Sequence, residues 1–274
     1  MPAVWVLILL SLGCALLGSL GGIGGASLMV PVLLILDVDP LLAAPLGMLL
    51  VGAGSLAAAS RQLEEGLVHH RLGLSVELFA TVGTITGALL STRIDPVWLA
   101  RLLGLAAMAG ALAAVGRKGI RNLPQRIFDN DHAGEWPGTL GGTYSLNGSA
   151  VPYQAKRVPA GLGVAVGAGV VAGLSGVGGG FLKTPAMSEV MRVPVKVAAA
   201  TSTFASGITA ATGLLIYTAQ DRIEVESAAV VILGALVGGA LGARLQTVLN
   251  AVTVRRTTGV LLAVISVIVL VRSL

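Results

Sequence analysis

Ten apolar segments, arranged as two sets of five that repeat at a nearly constant offset, constrain this chain more than any other feature. The first set covers roughly residues 4–20, 26–36, 41–60, 72–92 and 97–116, and the second 158–174, 181–191, 195–218, 226–246 and 254–271. A shift of 154 residues places Gly22, Gly24, Gly25, Leu28 and Pro31 on Gly176, Gly178, Gly179, Leu182 and Pro185, and Pro40 and Ala44 on Pro194 and Ala198. One inserted residue later, Gly83, Gly87 and Ala88 fall on Gly238, Gly242 and Ala243, and Arg101 and Gly104 on Arg256 and Gly259. Gly-rich helices can share a few glycines by chance. A register that also matches Pro and Arg marks an internal repeat.

A membrane span needs about 20 apolar residues. The second segment of each set is shorter, and glycines join it to its predecessor: Gly21-Gly22-Ile23-Gly24-Gly25 and Gly176-Val177-Gly178-Gly179-Gly180. Each half is therefore expected to begin with a Gly-broken or re-entrant helix pair, followed by three spans. Composition agrees with a membrane solvent. Hydrophobic residues make up 55% of the chain and charged residues only 11%, against about 25% in an ordinary soluble domain. The fold class that follows is all-α and integral to the membrane, with Val4–Leu20 read as a retained helix rather than a cleaved signal.

Other classes are disfavoured on the same grounds. Aromatics are 4% of residues, too few for a stacking platform, so the net charge of +5 is assigned to loops that orient the protein rather than to a nucleic-acid surface. The single cysteine, Cys14, cannot form an intrachain disulfide, and His69, His70 and His132 lack metal-site spacing. No phosphate loop, dinucleotide fingerprint or nucleophile elbow is present, so neither an enzyme, a cofactor nor a metal is expected.

Whether the broken pair spans or re-enters, each half crosses the membrane an odd number of times, so the second half is expected to be inverted relative to the first. Residues 1–118 and 158–274 form the two membrane repeats. Residues 119–157 form a polar linker, in which Asn147-Gly148 between Thr143–Leu146 and Ala150–Tyr153 suits a β-hairpin. Basic residues fall at Arg61 to Arg71, through the linker, at Arg192 and Lys196, and at Arg244, Arg255 and Arg256. These share one side of the inverted plan, expected to be cytoplasmic. Asp37, Asp39, Asp95 and the stretch Asp221–Glu226 share the other, and both termini face outward. Inverted repeats with broken helices are the plan of secondary transporters, whose sites lie where the breaks meet.

Glycine breaks expose backbone N–H groups at the start of the following half-helix, and the helix dipole adds to their attraction for an anion. This makes Gly22, Gly24, Gly25, Gly178, Gly179 and Gly180 candidate substrate-binding positions. Pro31 and Pro185 lack the N–H that would pair with the carbonyls of Ser27 and Phe181, which brings Ser27 into the set. The competing reading is that glycines only allow close packing; it is preferred for Gly83, Gly87, Gly238 and Gly242. Lys183 lies three residues beyond Gly180, opposite Met29 in the repeat, and is either a functional cation or a snorkelling one. Thr201, Ser202, Thr203 and Ser206 begin the next span and either bind the ligand or bond their own backbone. Glu77 is a candidate for proton coupling, or an interfacial carboxylate near a helix end.

The run Ala172-Gly173-Leu174-Ser175-Gly176-Val177-Gly178-Gly179-Gly180-Phe181-Leu182-Lys183-Thr184-Pro185, with Ala198-Ala199-Ala200-Thr201-Ser202 after it, resembles the signature of the sulfite exporter TauE/SafE family, and Gly22–Pro31 looks like its degenerate mate. The resemblance implies movement of sulfite, organosulfonates or related sulfur-containing anions across the inner membrane. The residues themselves point only to a small anion. Expected partners are that anion and the bilayer, without nucleic acid; self-association into a homo-oligomer stays open. Two rivals remain: a passive anion channel, and a membrane scaffold acting through the linker.

Overall fold

The computed structural model describes residues 2–22, 24–115, 134–136, 138–146, 149–249 and 251–272. The linker's basic residues Arg121 and Arg126 and the turn pair Asn147-Gly148 lie outside the described residues. The first half contains α1 (Val4–Gly21), α2 (Ala26–Ile35), α3 (Pro40–Glu64), α4 (His70–Ser91) and α5 (Pro96–Val115). The second contains α6 (Val158–Ser175), α7 (Gly180–Pro185), a π segment (Ala186–Val190), α8 (Val195–Ala219), α9 (Val225–Val248) and α10 (Ala251–Arg272). Among the described residues, six helices are long and apolar enough to cross a membrane, namely α1, α3, α4, α6, α8 and most of α9. Trp5, Leu56, Leu78, Leu215 and Leu233 are each more than half exposed on the outside of the bundle, where acyl chains would solvate them.

Helix limits follow local chemistry. α1 and α6 each end on a glycine in the left-handed region, Gly22 (φ 64°) and Gly176 (φ 73°), a conformation that costs glycine nothing. Pro40 opens α3, and the Asp39 carboxylate accepts the Leu41 N–H at 2.7 Å as a cap.

Packing joins the halves. α4 packs on α6, α1 on α9, α3 on α8 and α5 on α10. Small residues make these approaches possible. A Cβ on Gly83 or Gly87 would stand 2.2 Å from the carbonyl oxygens of Val166 or Val170, and one on Gly238 2.2 Å from that of Leu12. These glycines are packing residues, as read from their four-residue spacing.

The all-helical expectation describes the membrane body, but the linker adds a three-stranded antiparallel sheet, β1 (Gly134–Glu135), β2 (Gly141–Leu146) and β3 (Ser149–Gln154). β2 and β3 pair from Gly141↔Gln154 to Leu146↔Ser149, the hairpin that the turn pair implied; β1 carried no sequence signal. Tyr144 and Tyr153 share one face of this hairpin, and both are buried against Leu72, Val76, Met187, Met191 and Val197. The sheet thus seals one end of the α4–α6–α8 side of the bundle. Glu135 holds it there: its Oε2 lies 2.9 Å from His69 Nδ1 and accepts the Arg71 N–H at 3.3 Å.

At the opposite end Arg222 ties three elements together. Its guanidinium donates to the Leu41 carbonyl at 2.8 and 3.0 Å and to Ser91 Oγ at 2.9 Å, and it covers the Tyr217 ring at 4.4 Å. Arg272 reaches Asp37 at 3.6 Å near the same end. Arg244 and Arg256 belong to α9 and α10 rather than to loops.

Candidate functional site

Both breaks rest on backbone that only glycine adopts readily. Gly22 and Gly24 have φ of 64° and 74°, and Gly176, Gly178 and Gly179 have 73°, 76° and 68°. The breaks meet inside the bundle. A Cβ on Gly24 would sit 3.6 Å from the Val177 carbonyl oxygen, and Val51 borders both Gly24 and Gly178. Each break also presses on the long helix of the other half: Gly22 on Ala199 of α8, and Gly176 on Ala44 of α3. The Thr184 hydroxyl donates to the Gly22 carbonyl, fastening one break to the other.

Beside the first break lies a small cavity, lined in part by Ser19, Gly24, Gly25, Ser55, Thr203 and Ser206. Its volume is about 20 Å³, near what one water molecule needs and too small for an oxoanion. Ser55 Oγ donates to the Thr203 carbonyl at 2.5 Å, and Ser19 Oγ to that of Ala15 at 2.9 Å. The hydroxyls of Ser202, Thr203 and Ser206 are buried and have no hydrogen-bond partner among the described residues. Burying a hydroxyl unpaired costs about 1–3 kcal/mol. Three such groups on two turns of one helix, two of them lining a cavity, therefore fit a polar ligand better than a packing role.

Beside the second break the space is filled. Lys183 Nζ lies 2.9 Å from Glu77 Oε2 and donates to Thr209 Oγ1, also at 2.9 Å. The Thr209 hydroxyl in turn donates to Glu77 Oε1. Lys183 and Thr209 are fully buried and Glu77 is 1% exposed. A buried ammonium is tolerated where a carboxylate neutralises it and its donors are satisfied.

The sequence-derived set is thus divided by the fold. Gly24, Gly25, Thr203 and Ser206 converge on the cavity, and Ser202 lies beside them on α8. Ser27 instead closes its own break, donating to the Gly24 carbonyl at 2.7 Å. Thr201 accepts the His69 N–H at 2.9 Å and ties α8 to the start of α4. Gly178 and Gly179 face Val51 and Ala168, and Gly180 opens α7. Lys183 is fully buried rather than extended toward solvent, and Glu77 lies two turns inside α4 with its side chain facing the bundle. Ser19, Ser55 and Thr209 escaped the sequence reading. A signal for two of them existed, since Thr209 stands 154 residues beyond Ser55, the repeat offset itself. Among the described residues, no three His, Cys, Asp or Glu side chains converge as a metal site requires.

Buried hydroxyls line a neutral cavity, and Thr209, which holds a compensated cation, lies about one turn further along the same helix. Comparison with known proteins gives the chain a lineage. A family model described as sulfite exporter TauE/SafE matches residues 7–269. A protein of Bacillus subtilis (strain 168), named probable membrane transporter protein YunE, is 30% identical over 267 residues, covering 91% of this chain and 90% of its own. A Xylella fastidiosa (strain 9a5c) protein, named probable membrane transporter protein, is 29% identical over 234 residues, covering 84% and 80%. No solved structure matches the chain.

Proposed function

Because this chain belongs to the sulfite exporter TauE/SafE family, we propose that it is a secondary transporter that moves sulfite, an organosulfonate or a related sulfur-containing anion by alternating access. That it is a multi-pass membrane transporter follows from the family and from six helices able to span. The observation that carries the finer reading is the group of unpaired buried hydroxyls, Ser202, Thr203 and Ser206, around the Gly24–Gly25 break. In this account the anion accepts from the Thr203 and Ser206 hydroxyls.

The cavity's volume of about 20 Å³ supports a carrier over a permanently open channel, since the helices around it must part before an oxoanion enters. The halves are read as inverted repeats. Exchanging first-half helices for their mates turns the α4–α6 pair into α9–α1 and leaves α3–α8 and α5–α10 unchanged, and Arg222, just past the end of α8, meets Leu41 at the start of α3, which supports antiparallel mates. The end bearing Arg61, His69, Arg71, Arg192, Lys196 and the sheet is read as cytoplasmic, and the end bearing Asp37, Asp39 and Arg222 as external, with both termini outside.

The test is counterflow in proteoliposomes with labelled sulfite and methanesulfonate. Unlabelled anion inside the vesicles should accelerate entry of label. A passive pore gives no such acceleration, and a scaffold gives no flux. A variant lacking residues 134–154 that still exchanges anion would speak against a scaffold role for the linker.

A further inference from the structure

The ion pair beside the second break has a consequence for energy coupling, resting on the reading of the protein as an anion carrier. We propose that Lys183 exchanges partners during transport: when Glu77 takes up a proton, the Lys183 ammonium passes from the Glu77 carboxylate to the substrate anion, so that one proton moves with each monovalent anion.

The geometry supplies each part. An ammonium has three donor hydrogens, and Glu77 and Thr209 take two of those on Lys183, which leaves one for a third acceptor. Ser202, Ser206 and Thr209 lie at i, i+4 and i+7 on α8, which sets them in one stripe. The rise from Ser206 to Thr209 is about 4.5 Å, so the unpaired hydroxyls at the cavity lead directly to the group that already holds Lys183. The Thr209 hydroxyl bridges the pair, bonded to both members. It can keep Lys183 anchored after the carboxylate loses its charge.

Charge balance gives the device its direction. Without substrate, the ammonium and the carboxylate sum to zero. With a monovalent anion bound and Glu77 neutral, the three groups again sum to zero. Anion without the proton would leave one net negative charge in the core, and proton without the anion one net positive charge, both costly in a low-dielectric interior. Only two states, empty and doubly loaded, can therefore cross. The chemistry is a proton transfer alone: an O–H bond forms on a Glu77 oxygen with a proton from the loading side and breaks on the releasing side.

Few other charges compete for this role. α6, packed along α4, has no ionisable residue. α8 has Lys196 in its first turn and Tyr217 near its end, α4 has His70 and Arg71 at its start, and the π segment has Glu189. Among the described residues, Lys183 is the charged group that contacts Glu77.

The experiment uses full-length protein in proteoliposomes and labelled methanesulfonate, which keeps one negative charge between pH 5 and 8. With the membrane potential clamped, a gradient of one pH unit, acid outside, should drive about tenfold accumulation, and a trapped pH dye should report one proton per anion. An imposed potential at equal pH should drive none. Glu77→Gln should keep counterflow exchange and lose acid-driven accumulation; Lys183→Gln should lose both, and Lys183→Arg should retain part of the exchange. Wild-type exchange with no proton flux overturns the coupling and leaves the carrier intact. Absence of exchange by the wild type overturns the sulfonate-carrier reading and the coupling that rests on it. Glu77→Gln accumulating like the wild type also overturns the proposal. Should that variant fail to fold, the wild-type proton count decides alone.

Discussion

The two glycine breaks share a backbone plan and differ in what stands beside them. The first leads into α2, ten residues that run through Pro31, and borders a cavity with unpaired hydroxyls. The second has three left-handed glycines and leads into α7, which stops after six residues at Pro185 and gives way to a π segment. Where the first half places Met29, fully buried among apolar side chains, the second places Lys183 in an ion pair. The ends differ too. Beyond α2 a cleft of about 310 Å³ stays open between Asp37, Asp39 and Arg272, whereas the linker sheet covers the end of the π segment. A duplicated scaffold has kept its break geometry in both copies, while a cavity lies beside one break and an ion pair between the halves lies beside the other. The polar residues are unevenly shared: Ser202, Thr203, Ser206 and Lys183 come from the second half, opposite Met48, Leu49, Gly52 and Met29, while Glu77 comes from the first.

The largest expected effects come from backbone contact. A Cβ on Gly176 would lie 2.0 Å from the Ala44 carbonyl oxygen and 2.3 Å from its Cα, so Gly176→Ala should cost more than about 4 kcal/mol and remove most folded protein. Gly24→Ala has the same positive φ but meets its nearest atoms at 3.6 and 3.7 Å. It should cost only the conformational strain, about 1–2 kcal/mol. Size-exclusion yield and thermal unfolding in detergent would compare the two. Equal and mild losses would mean that the second break does not press on α3.

Next comes the ion pair. Lys183→Met strands the Glu77 carboxylate and should destabilise by about 3–5 kcal/mol, whereas Lys183→Met combined with Glu77→Leu should recover most of the loss. Thermal unfolding of the single and double variants checks this. A double variant as unstable as the single one would show that the two side chains do not interact.

A smaller effect attends the sheet. Burial lowers the pKa of His69, opposed by the neighbouring Glu135. A base whose folded pKa lies below its unfolded value binds fewer protons folded, so stability rises with pH in that window. Docking of the sheet should therefore weaken as pH falls below about 6.5, toward the lowered value. The Nδ1 atom explains the tension: it faces both Glu135 Oε2 at 2.9 Å and the Leu72 N–H at 3.2 Å, and it can donate to the first or accept from the second, not both. Hydrogen exchange in residues 141–154 should speed up on acidification, and His69→Phe should flatten the dependence.

Sequence periodicity and the repeat made the helices, the breaks and the packing glycines legible, because spacing alone encodes which face of a helix is small or apolar. The partner of Lys183 was not legible. Glu77 is 106 residues away and becomes a neighbour only because α4 of one half packs beside α6 and α8 of the other, a pairing that no local pattern carries. Ser27 and Thr201 show the reverse case. Their hydroxyls looked available, but the fold commits them to the Gly24 carbonyl and the His69 N–H.

The most direct test of a cavity that binds and a pair that balances charge is the affinity for methanesulfonate of wild type and of Thr203→Val with Ser206→Ala, measured by calorimetry on detergent-purified protein. Hydrogen bonds to a charged group contribute about 1.5–3 kcal/mol each, so the double variant should bind at least tenfold more weakly, with thermal stability in the absence of anion equal to or above that of the wild type. Unchanged affinity would contradict the account, because the anion would then lie away from the first break.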